Sequence, residues 1–73
     1  MTKVLFLRRG FGISQSYLAK ILGISRPTLA KKEKGEADFN KSEIEIITPL
    51  FQKYNPNLTK DEIFFENSIN KIN

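Results

Sequence analysis

The chain has 73 residues, 40% of them hydrophobic, and contains neither cysteine nor histidine. That length holds one small domain with a thin core, since a domain of ~60–70 residues hides only ~60% of its unfolded surface. Disulfides, thiolate metal sites and the commonest acid–base side chain are excluded, and the net charge of +4 is split unevenly: residues 1–35 carry +7 and residues 36–73 carry −3. A polyanion would meet the first half and be repelled by the second.

Five helix starts share one signature along the chain. An apolar residue precedes a capping residue, and a second apolar residue stands four places after the cap. The instances are Met1-Thr2…Phe6, Ile13-Ser14…Leu18, Ile24-Ser25…Leu29, Phe39-Asn40…Ile44 and Leu58-Thr59…Ile63. A cap oxygen accepts an orphan N–H, and the apolar pair staples the chain on either side of it. Glu43 and Glu62, three residues after Asn40 and Thr59, add capping boxes. Stops fall at Gly10 or Gly12, Gly23, Gly35 and Asn55-Pro56. The signals predict helices at about 2–10, 15–22, 26–34, 41–54 and 60–65, with no strand. Pro49 falls inside the fourth and predicts a kink or a fresh start there.

Helical spacing selects the core. The first helix offers Val4 and Leu7, with Phe6 or Phe11 in support, and the second offers Leu18, Ile21 and Leu22. The fourth offers Ile44, Ile47, Leu50, Phe51 and Tyr54, and the fifth Ile63 and Phe64. The third helix is different. Only Leu29 in it is plainly apolar and inward. A turn of ~100° per residue puts Pro27, Lys31 and Lys34 on one stripe opposite Leu29, with Arg26 and Thr28 beside it. A helix so poor in apolar surface is displayed rather than packed. Arg and Thr are residue types that hydrogen-bond bases and phosphates. Ser25 is its cap, which places Pro27 at the second helical position, where a missing N–H costs nothing.

Residues 15–35, QSYLAKILGISRPTLAKKEKG, resemble the helix-turn-helix of the Cro/CI-type family, which includes the lambda-like phage repressors and many small bacterial regulators. Ala19 is small where the two helices approach, Gly23 makes the turn, and Leu18, Leu22, Ile24 and Leu29 fill the seam. The resemblance extends over about residues 3–65. It implies an all-α, five-helix, lambda-repressor-like domain over residues 1–66, followed by a C-terminal tail at 67–73. The third helix would lie in the DNA major groove.

Carried residue by residue, the resemblance assigns base contact to Arg26, Pro27, Thr28 and Lys31. Arg26 would pair bidentately with a guanine, and Pro27 would make apolar contact. Phosphate contact falls to Gln15, Ser16, Tyr17, Ser25 and Lys34, with Gln15 also matching a position that braces the recognition helix. Arg8 and Glu33 match a structural ion pair between the first helix and the end of the third. Lys32 departs from the family, which usually has a large apolar residue there. It lies ~60° from Leu29, so its stem would cover the core while its ammonium snorkels out, or the third helix is loosely held.

The function implied is a sequence-specific double-stranded DNA-binding transcription regulator, a repressor of the Cro-like phage or prophage switch type. It would be cytoplasmic and nucleoid-associated when bound to DNA. Apolar runs too short for a membrane span, and no visible signal segment, accord with that address. One module makes few base contacts, so a homodimer on two half-sites is implied, with Tyr54, Phe65 and the tail as candidate dimer surfaces. An alternative is a modulator or anti-repressor that binds a partner repressor, or an antitoxin that binds a toxin. No cofactor, metal or small-molecule substrate is expected, and nothing points to an enzyme. The adjacent acids Asp61 and Glu62 fit the dipole of a helix first turn.

Overall fold

The computed structural model describes residues 2–65. Within them lie five helices and no strand: α1 (Val4–Gly10), α2 (Gln15–Leu22), α3 (Arg26–Glu33), α4 (Lys41–Gln52) and α5 (Lys60–Phe64). Four caps sit where the signature places them. Ser14, Ser25, Asn40 and Thr59 accept from the backbone N–H of Tyr17, Thr28, Glu43 and Glu62. Both capping boxes are complete.

The start of α1 differs from expectation. Lys3, not Thr2, is the cap, and it has no side-chain cap bond. The Thr2 hydroxyl instead accepts from Val4 N–H at 3.3 Å. Lys3 N–H donates to the Ile63 carbonyl at 2.8 Å and ties this start to α5. With Val4 and Arg8 turned inward, Phe6 faces out and is 76% exposed. Its supporting role passes to Phe11, which meets Phe51 edge-on at 5.4 Å and stacks on Tyr54 at 5.0 Å. Tyr54, expected in the core, lies past the end of α4 and is half exposed, covering Phe11 from outside.

The core joins one or two side chains from every helix: Val4, Leu18, Leu29, Ile47, Phe51 and Ile63 are fully buried. The residues before three of the caps, Ile13, Phe39 and Leu58, are buried as well. Connecting segments in so short a chain thus supply core as well as turns. Phe39 packs edge-on against Phe64 at 5.6 Å and closes the bottom of α4 over α5.

The fourth helix is a single element. It continues through Pro49, which is exposed, rather than starting afresh. Proline lacks the N–H that would have met the carbonyl one turn earlier, at Glu45, and that residue is exposed to water.

Candidate nucleic-acid interface

The helices α2 and α3 are joined by Gly23, Ile24 and Ser25. Gly23 takes the left-handed conformation, with φ of 73°, and its N–H caps the carbonyls of α2. The chain bends at Ile24, and Ser25, in an extended conformation, opens α3. Its hydroxyl accepts from Thr28 N–H at 3.2 Å and donates to Thr28 Oγ1 at 2.9 Å. Thr28 therefore keeps its own hydroxyl hydrogen to donate outward. Pro27 sits in the first turn, where it forfeits no bond.

Two residues of α3 are buried, Leu29 and Glu33. Arg26, Pro27, Thr28 and Lys31 are exposed, as is Lys34 just past the helix end. Pro27, Lys31 and Lys34 lie on the stripe opposite Leu29, with Arg26 and Thr28 flanking it. On α2, Ser16 and Tyr17 are exposed, and Ser25 is exposed at the turn. Gln15, Arg26, Pro27 and Ala30 line a shallow hollow between the two helices. Of the residues assigned to bases and phosphates, Gln15 is half-buried and meets Arg26 and Pro27 at this hollow, and the others are exposed.

Two ion-paired groups hold that face. The Glu33 carboxylate accepts from Arg8 Nε at 2.6 Å, Arg8 Nη2 at 3.3 Å and Gln15 Nε2 at 3.0 Å. Arg8 also donates from Nη1 to the Ile13 carbonyl at 3.0 Å. One buried carboxylate therefore links α1, the loop after it, the start of α2 and the end of α3. Gln15 serves as a brace here. That bond uses one of the two N–H groups of its amide.

The second group corrects the reading of Lys32. Its ammonium does not snorkel out to solvent, and α3 is not left loose. Lys32 Nζ donates to both oxygens of Glu43, each at 2.7 Å, with the two side chains 13% and 4% exposed. Glu43 is the capping-box residue of α4 and also accepts from Asn40 N–H at 2.9 Å. A capping box is a complete local explanation for a glutamate, and it hides the second partner. No local spacing points to that partner, which stands 11 residues away on another helix.

A family model described as helix-turn-helix matches residues 6–48, more than half of the chain. The chain belongs to the Cro/CI-type helix-turn-helix family. No curated protein and no solved structure matches it. The matched segment runs from α1 into α4 and contains both ion-paired groups. Membership makes this Cro/CI-type chain a DNA-binding helix-turn-helix regulator. No helix among the described residues is long and apolar enough to cross a membrane.

Proposed function

We propose that the protein is a sequence-specific double-stranded DNA-binding transcription regulator of the Cro-like phage-switch type, reading the major groove with α3. The observation that carries this is the exposed outward side of α3, where Arg26, Thr28 and Lys31 surround a proline that stiffens the first turn. Arg26 is the leading base reader, because a guanidinium matches guanine O6 and N7 bidentately. Lys31 reaches a second base or a phosphate. Ser16, Tyr17, Ser25, Gln15 and Lys34 hold the backbone on either side and set the register. The module acts as a homodimer on a palindromic site, since one α3 offers few base contacts.

Selection of bound duplexes from a random-sequence pool, followed by gel shifts on the enriched site, tests this. A palindromic site is expected, and Arg26→Ala should cost ~1–3 kcal/mol on it and relax discrimination at one position of each half-site. Retention of no duplex even at low salt sinks the reading.

One observation favours a second reading, a modulator that binds a partner repressor. Phe6 stands exposed in an apolar groove on α1, lined also by Leu5 and rimmed by Arg9 and Lys34. Co-elution with a repressor in the absence of any DNA affinity would select this reading over the first.

A further inference from the structure

The recognition helix of this protein has little apolar anchorage and two charged contacts in its last turn. Leu29 is its one fully buried apolar side chain, and a single buried contact leaves a helix able to roll about it. The last turn of α3 is gripped twice, by successive residues ~100° apart around the helix axis. Glu33 is held from the side of α1 and α2 by Arg8 and Gln15. Lys32 is held from the side of α4 by Glu43. We infer that Lys32 and Glu43 are a positioning pair, whose ion pair locks the last turn of α3 against the start of α4 and so sets base discrimination. This rests on the DNA reading proposed above.

The carboxylate is built to hold still. Glu43 N–H donates to the Asn40 side chain at 2.9 Å while Asn40 N–H donates back to Glu43 Oε1 at 2.9 Å. The acceptor for Lys32 is thus anchored to the α4 backbone at both ends. Lys32 in turn spends its ammonium inward, so its charge is neutralised within the fold and is withheld from phosphate. Lys31 precedes it by one residue, on the exposed side. Any roll of the last turn therefore moves Lys31 across the groove floor.

An ion pair of this burial is not an efficient way to add stability, because desolvation offsets much of the attraction. Its distinguishing property is geometry: a bidentate contact tolerates little displacement. An apolar side chain at position 32 would hold α3 against its neighbour, but would not fix its rotation to a single point on α4.

Glu43→Gln isolates the pair, since glutamine at this position keeps the capping box and removes the charge. Lys32→Arg is the conservative variant that keeps a bidentate donor. In the DNA-free full chain, Glu43→Gln should speed amide exchange at residues 31–34 on the order of tenfold, with α2 amides unchanged. On DNA, the same variant should lower the ratio of specific to non-specific affinity about tenfold, the discrimination of roughly one base pair, at an unchanged salt slope. Lys32→Arg should keep both quantities near wild type. An unchanged affinity ratio in Glu43→Gln would overturn the inference. So would uniform acceleration of all amides, or Lys32→Arg behaving as badly as Glu43→Gln. A salt slope reduced by Lys32→Met would make Lys32 a phosphate contact and refute the pair's positioning role. If the wild type binds no duplex at low salt, the DNA reading fails on its own, and the exchange experiment alone decides whether the pair positions α3.

Discussion

Thr48 has a buried hydroxyl oxygen with no hydrogen-bond partner among the described residues. It sits on the inward side of α4 beside Ile47, one residue before Pro49. A buried polar atom without a partner gives up its hydration and gains nothing in return. Valine has almost the same shape and no such atom. Thr48→Val is therefore expected to stabilise the protein by ~1 kcal/mol, read as a higher urea midpoint at unchanged slope. A lower midpoint would mean that the hydroxyl is satisfied in solution. At this scale the legible residues are those with a local pattern. Ser14, Ser25, Asn40 and Thr59 announce themselves by the residues three and four places later. Arg8 and Glu33 are legible only through the family resemblance, since nothing local joins residues 25 positions apart. Lys32 and Glu43 have neither aid. Pairing them requires knowing how α3 meets α4, which is a property of packing and not of spacing.

At the scale of elements, two glycines make opposite demands. Gly23 has a positive φ and open space where a Cβ would stand. Its constraint is therefore the backbone alone. Gly23→Ala should destabilise the protein by ~1–2 kcal/mol, the cost of a left-handed L-residue. Gly10, the last residue of α1, also has open space around a Cβ but no positive φ. There the same change should stabilise by ~0.5–1 kcal/mol, because alanine loses less backbone freedom on folding into a helix. Paired urea melts check both signs, and a destabilising Gly10→Ala would contradict the argument. The helices themselves are readable because capping signals bracket each of them. Their ends are less so: the cap of α1 falls one residue later than its signature places it, and α4 stops at Gln52 rather than Tyr54. Of Phe6 and Phe11 it is Phe11 that meets the core, because Val4 and Arg8 take the inward side of α1.

At the scale of the whole molecule, charge asymmetry and ion pairing act together on DNA binding. The excess of positive charge lies in residues 1–35, but part of it is spent inside the fold: Arg8 on Glu33 and Lys32 on Glu43. On the outward side of α3, Arg26, Lys31 and Lys34 remain exposed. Several of the other proposed backbone contacts, among them Ser16, Tyr17 and Gln15, are neutral. Neutral groups hydrogen-bond phosphate without displacing a counterion, whereas each cation–phosphate contact contributes a slope of about −0.9 in log affinity against log salt. The exposed face of α3 should therefore contribute a slope of no more than roughly −3 per protomer, shallow beside what the net charge of its half would suggest. Lys34→Gln should reduce the slope by about 1 per protomer and weaken specific and unrelated duplexes alike. Titrations of both duplexes across a salt series measure this directly. A slope untouched by Lys34→Gln would remove Lys34 from the phosphate contacts, and a slope far steeper than this would bring in cations outside α3, such as Lys20 on α2.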